Sequence, residues 1–92
     1  MKTETKCLHA GYEPKNGEPR EVPIYQSTTF KYDSSLQMGR LFDLEDSGYF
    51  YSRLQNPTND IVASKIAALE GGIAAMLTSS GQAANFFAVF NI

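Results

Sequence analysis

Two pairs of residues bracket one stretch of this chain and settle its secondary structure. Asn56-Pro57 opens it and Gly71-Gly72 closes it. Asn offers a side-chain oxygen that caps the first amides of a helix, and Pro suits the first turn because its missing N–H would have had no partner there. Between the two pairs, Val62, Ile66 and Leu69 recur at helical spacing, with Ile61 widening the stripe, and Asp60 lies near the positive end of the helix dipole. The pattern predicts a helix over 57–70, stopped by the two glycines. Ile73 to Thr78 is a short continuous apolar run, which reads as a strand covered on both faces. Ser79-Ser80-Gly81 makes a turn, and a second helix runs from about Gly81 to the end. Helix, strand, turn and helix in this order predict the opening of an α/β domain.

Residues 1–50 are organised differently. Gly11, Pro14, Gly17, Pro19 and Pro23 punctuate the first part and argue against a helix running through it. Val22 to Phe30 is rich in β-branched and aromatic residues and suits a brief extended segment. Leu36 to Glu45 predicts a short helix, with Ser34 or Ser35 as cap and Leu41 and Leu44 spaced for one face, although Gly39 weakens it. A long irregular start makes no core by itself and reads as an arm laid over other protein. The expected division is an irregular arm over 1–50 and an α/β domain beginning over 51–92.

Composition narrows the function classes. The 92 residues carry a net charge of -2 with both signs scattered, and no basic run or stripe offers a nucleic-acid footprint. No apolar run approaches the length that spans a bilayer, and the polar start Met1-Lys2-Thr3-Glu4-Thr5-Lys6 leads into no apolar signal core. A single cysteine, Cys7, excludes an internal disulfide framework and fits a reducing compartment. The expectation is a soluble cytoplasmic protein.

Three places invite chemistry. In Tyr51-Ser52-Arg53-Leu54-Gln55-Asn56-Pro57-Thr58, an extended backbone would turn Tyr51 and Arg53 to one side and Ser52 to the other. A guanidinium fork beside a phenolic O–H suits a phosphate or a carboxylate; the same residues also suit a surface strand running into a capped helix. The turn at Ser79-Ser80-Gly81-Gln82 would present the amides of a helix start, a second anion site, in residue types that ordinary caps and turns use as well. Cys7 and His9 lie two apart, but zinc wants three or four protein ligands and no further Cys or His exists, so a structural role is expected and no metal site. Tyr25, Tyr32, Tyr49 and Phe50 read as packing or interface residues.

Five blocks stand in a familiar order: Leu8-His9-Ala10-Gly11, Pro23 through Phe30, Tyr51 through Thr58, Ala67 through Gly72, and Ser79 through Ala84. Together they resemble the Cys/Met-metabolism family of pyridoxal phosphate (PLP) enzymes. Leu41-Phe42-x-Leu44-Glu45-x-x-Gly48 is most similar to its O-acetylhomoserine sulfhydrylase branch. The resemblance implies an N-terminal arm that contacts a neighbouring subunit, then the start of a large domain of the aspartate aminotransferase-like fold type I. It implies PLP as cofactor, with Ser80 and the amides of Gly81 and Gln82 on its phosphate, and with Tyr51 and Arg53 reaching the phosphate of the adjacent subunit. It implies a homo-oligomer, a dimer of dimers, whose phosphate sites are each shared between two chains. Replacement of the acetate of O-acetylhomoserine by sulfide or a thiol is the implied reaction, giving homocysteine or methionine; methionine γ-lyase and cystathionine γ-synthase or γ-lyase chemistry are alternatives on the same scaffold.

The family also requires a lysine covalently joined to the cofactor. Lys2, Lys6, Lys15, Lys31 and Lys65 have no matching context, so no catalytic residue is expected within these 92, the Schiff-base lysine being expected beyond Ile92. Lys65 reads as a solvated residue on a polar helix face. The nearly all-apolar run from Ala83 to Ile92, with no closing Gly and no basic last turn, adds to the expectation of an N-terminal piece of a larger enzyme, inactive alone. A second class stays open: a small interaction module whose final helix docks on a partner and whose Tyr and Arg anchor a protein interface.

Overall fold

The bracketed helix forms where its two ends place it. In the computed structural model, which describes all residues 1–92, four helices follow one another: α1 (Thr3–His9), α2 (Ser35–Phe42), α3 (Pro57–Glu70) and α4 (Gly81–Phe90). Asn56 Oδ1 accepts from the amide of Thr58 at 2.9 Å and so caps α3. At the other end Gly71 takes φ +69°, which an L side chain adopts only with strain, and Gly72 N donates to Ala67 O at 2.9 Å, satisfying a last-turn carbonyl. The expected apolar stripe is less covered than predicted. Val62, Ile66 and Leu69 keep 36–40 % of their exposure, and the buried residue of the helix is Ala67.

The chain divides into two compact units, Met1–Glu13 with Val62–Ile92, and Pro14–Ile61. In the first, α1 is held to α3 by lysines. Lys65 Nζ donates to Cys7 O at 2.9 Å and to Leu8 O at 3.4 Å, and Lys6 Nζ reaches Ala68 O at 3.4 Å. Each ammonium meets carbonyls left over at a helix C-terminus, where positive charge is favoured. Lys65 is therefore not the merely solvated residue expected, and α1 is a helix where none was predicted. Its N-cap, Lys2, makes no side-chain bond, so no cap residue announces it.

The apolar run Ile73 to Thr78 does not form the expected strand. A strand exists by pairing, and no second extended segment lies alongside it; Ile73 is fully exposed. The helix after it starts as predicted. Ser80 Oγ accepts from Ala83 N at 3.0 Å, and Thr78 Oγ1 donates to Ser80 O at 2.9 Å. On α4, Phe86 packs edge-on to Phe87 at 5.6 Å and stacks on Phe90 at 5.5 Å, yet all three rings stay exposed.

In the second unit Ser34 caps α2 by accepting from Gln37 N at 3.2 Å. The helix ends at Phe42, three residues short of the expected Glu45. Leu44 consequently leaves the predicted apolar face: it sits beyond the helix at φ 62°, 87 % exposed. Leu41 is the buried anchor, at 2 % exposure. Against it the chain passes Gly48 so closely that an added Cβ would lie 2.6 Å from the hydroxyl of Tyr32 and 3.2 Å from Leu41 Cδ2. Tyr32 Oη donates to Tyr49 O at 2.5 Å, Phe42 meets Phe50 at 4.7 Å, and Phe30 meets Tyr49 at 5.9 Å. The predicted extended segment over Val22–Phe30 contributes one antiparallel bridge, Thr29 to Tyr51, and no strand. No helix is long and apolar enough to cross a membrane.

Candidate functional site

Tyr51 and Arg53 face one another, but by a different backbone from the extended one expected. The Thr29 bridge and a bond from Ser52 N to Thr28 O at 2.9 Å hold the chain up to Ser52. It then turns: Leu54 N and Gln55 N both donate to Tyr51 O, at 3.1 and 3.0 Å. This turn, rather than strand alternation, lays the Arg53 guanidinium over the Tyr51 ring, 4.9 Å from its centroid. Arg53 is exposed and Tyr51 half-buried. The stacked pair offers an anion a planar fork of N–H donors beside a phenolic O–H.

Ser52 is turned away, as expected, and is occupied. Its Oγ donates to Ser27 O and accepts from Asn56 Nδ2, the latter at 3.0 Å. Asn56 is the buried polar residue of the chain, at 5 % exposure, and its Nδ2 also donates to Tyr25 O at 3.0 Å. Thr58 Oγ1 donates to Pro23 O at 2.8 Å and accepts from Tyr25 N at 2.9 Å. The roles of Asn56 and Thr58 across to residues 23–25 were missed in the sequence, where Asn56 reads only as a cap. The one local signal is the four-residue spacing of Ser52 and Asn56.

Beside the turn lies a small open cleft lined by Ser47, Gly48, Tyr49, Gln55 and Asp60. The Tyr49 phenol is pushed above its ordinary pKa, first by burial and then by its hydrogen bond to Asp60, whose negative charge further disfavours the phenolate.

Ser80, Gly81 and Gln82 form the second group, at the start of α4 in the other unit. The first amides of a helix have no acceptor within it. Ser80 takes up Ala83 N through its side chain and Ala84 N through its carbonyl, which leaves Gly81 and Gln82 as the first-turn amides directed at the helix end. A Cβ built on Gly81 would meet nothing within 4 Å, so the space beside its amide is open. Ser80 Oγ accepts a bond but still has its proton to donate. An open helix start with a hydroxyl and two amides fits a phosphate, and the Arg53–Tyr51 pair fits one as well.

Cys7 and His9 stand on and at the end of α1, with Cys7 exposed. No group of three or more His, Cys, Asp or Glu side chains is gathered closely enough to hold a metal ion.

Two groups of residues whose chemistry suits an anion stand on this chain, and comparison with known proteins shows the family to which it belongs. Residues 4–92 match the model of the Cys/Met metabolism PLP-dependent enzymes, and the chain belongs to that family. It is 46 % identical over 93 residues to the O-acetyl-L-homoserine sulfhydrylase of Leptospira meyeri, covering 100 % of this chain and 21 % of that protein. It is 51 % identical over 88 residues to the homocysteine/cysteine synthase of Kluyveromyces lactis, covering 94 % and 20 %. A crystal structure of an O-acetylhomoserine (thiol)-lyase from Campylobacter jejuni, containing N'-pyridoxyl-lysine-5'-monophosphate, superposes with a TM-score of 0.89 at 37 % identity, over 100 % of this chain and 22 % of that one. The chain thus spans about a fifth of the length of the curated relatives it matches.

Proposed function

We propose that these residues are the N-terminal part of a PLP-dependent enzyme that replaces the acetate of O-acetylhomoserine with sulfide or a thiol. The observation that carries this reading is the 46–51 % identity, over almost the whole chain, to proteins named O-acetyl-L-homoserine sulfhydrylase and homocysteine/cysteine synthase. In this reading residues 1–50 are the arm that contacts a neighbouring subunit, and 51–92 begin the PLP-binding α/β domain of fold type I. The enzyme is a cytoplasmic homo-oligomer, a dimer of dimers.

When bound, PLP supplies an electron sink for charge that develops on the substrate carbons. The residues of this chain bind and orient. Ser80 Oγ and the amides of Gly81 and Gln82 hold the phosphate from one subunit. Arg53 adds charge-assisted bonds and Tyr51 a phenolic bond from the next. Fixing the phosphate at several points fixes the ring's direction, and orientation is a large part of what a binding site contributes to rate. The covalent lysine is supplied by sequence outside these residues.

The test is an assay of the full-length protein offered O-acetylhomoserine with sulfide, cystathionine, and methionine in parallel. Sulfide-dependent homocysteine from O-acetylhomoserine is the expected result. Elimination from methionine without any sulfide-dependent product would move the enzyme to the γ-lyase branch.

A further inference from the structure

We infer that Asn56 is a positioning residue whose carboxamide holds the Tyr51–Arg53 turn in the shape that presents the guanidinium to the cofactor phosphate, an inference that rests on the reading of Arg53 given above. The three other residues it engages lie in three different segments. Oδ1 accepts from Thr58 N in the first turn of α3, while Nδ2 donates to Ser52 Oγ in the turn and to Tyr25 O in the segment before it. Both N–H donors and the oxygen are engaged, and the residue is 5 % exposed. A buried carboxamide that lost a partner would leave a polar group unsatisfied, so the three segments are held in one register.

Capping alone does not call for this residue type. Ser is about as good an N-cap as Asn, and Ser34 and Ser80 cap α2 and α4 of this same chain. What Ser lacks is the pair of donors. Those donors fix Ser52, whose Oγ is also tied to Ser27 O. Arg53 is the next residue along, so the backbone at Ser52 sets where its side chain departs. Asn56 thus acts on Arg53 through Ser52.

The test compares apo full-length protein as parent, Arg53→Ala, Asn56→Ser, Ser52→Ala and the Arg53→Ala/Asn56→Ser double variant. Each is titrated with pyridoxal phosphate and with pyridoxal, which lacks the phosphate. General loosening of the protein weakens both ligands alike, whereas a damaged phosphate grip lowers the ratio of the two affinities. Losing a hydrogen bond to a charged group changes affinity by about tenfold or more, and Asn56→Ser is expected to lower the ratio by about that factor with its helix cap kept. Ser52→Ala lowers it in the same direction and decides the matter if Asn56→Ser does not fold. The double variant falls no further than Arg53→Ala, because the two residues act as one unit. If Arg53→Ala lowers the ratio but Asn56→Ser and Ser52→Ala leave it unchanged, or if the double variant shows the two effects adding in full, this inference is overturned and the reading of Arg53 stands. If Arg53→Ala itself leaves the ratio unchanged, that reading falls and the inference with it.

Discussion

Tyr49 has a pH dependence whose sign follows from its surroundings. Burial and the hydrogen bond to Asp60 both favour the neutral phenol, and its pKa is raised. The folded state therefore holds this proton more tightly than the unfolded state does. The resulting stabilisation is complete below the unfolded pKa, about 10 for tyrosine, and is lost as pH rises through the higher folded value. Tyr49→Phe keeps the ring against Phe30 but removes the proton. A tyrosinate absorbance titration of the full-length protein is expected to lose a late-titrating component in this variant, and its stability is expected to fall less steeply on the alkaline side. The same late component in Tyr49→Phe as in the parent would assign it to another tyrosine.

At the level of the elements, capping chemistry was the legible part. Ser34 or Ser35, Asn56-Pro57 and the Ser79-Ser80-Gly81 turn mark α2, α3 and α4 in the sequence; the structure selects Ser34 as the first cap, and α3 and α4 begin at Pro57 and Gly81 as expected. Each is a local interaction between neighbours in the chain, which is why the sequence alone reveals it. What escaped depends on distant residues. Helix α1 has no side-chain cap and meets Lys65, 58 positions away from Cys7. The apolar run over 73–78 has the pattern of a strand, but pairing is supplied by other chain segments. Tyr51 and Arg53 were correctly placed on one side, for a reason the backbone does not follow, because two hydrogen bonds to Tyr51 O convert the expected extended stretch into a turn.

The end of α2 shows a local rule broken. Leu44 N donates to Leu41 O at 3.2 Å and Glu45 N to Arg40 O at 2.9 Å, the two-bond helix stop that usually has Gly at its left-handed position. Here Leu44 occupies it, at φ 62°. An L-residue in that region is strained by about 1–2 kcal/mol, while Gly gives back roughly 0.4–1 kcal/mol through a freer unfolded chain. Leu44 is 87 % exposed, so little packing is lost. Leu44→Gly is accordingly expected to raise the stability of the full-length protein by about 0.5–1 kcal/mol, read from denaturant unfolding. A lower stability would mean that Leu44 packs against protein outside these residues.

At the scale of the whole molecule, buried hydrophobic residues are few, Leu41 and Ala67, while Ile73, Met76, Phe86, Phe87 and Phe90 are exposed. So small a core leaves most of the apolar surface of these residues uncovered, and the chain spans about a fifth of the length of the curated relatives it matches. The proposed shared phosphate site carries this to the level of subunits and can be tested there. Arg53→Ala removes a charge-assisted bond worth roughly 1.5–3 kcal/mol, so cofactor affinity should fall by about one to two orders of magnitude. Arg53→Lys should restore only part of it, since an ammonium is a point charge without the planar fork. Gly81→Asp damages the other half: a carboxylate at a helix start favours the helix but repels a phosphate there, and the open space at Gly81 admits the side chain. Mixing the two variants yields hybrid dimers. If each site draws Arg53 from one chain and Gly81 from its neighbour, one site of the hybrid has both defects and the other has neither. Cofactor binding and activity then return toward half of the parent's value per hybrid dimer. If hybrids verified by mass show no recovery, Arg53 does not reach the phosphate held by its neighbour, and the two-chain site is wrong even where each single substitution weakens binding.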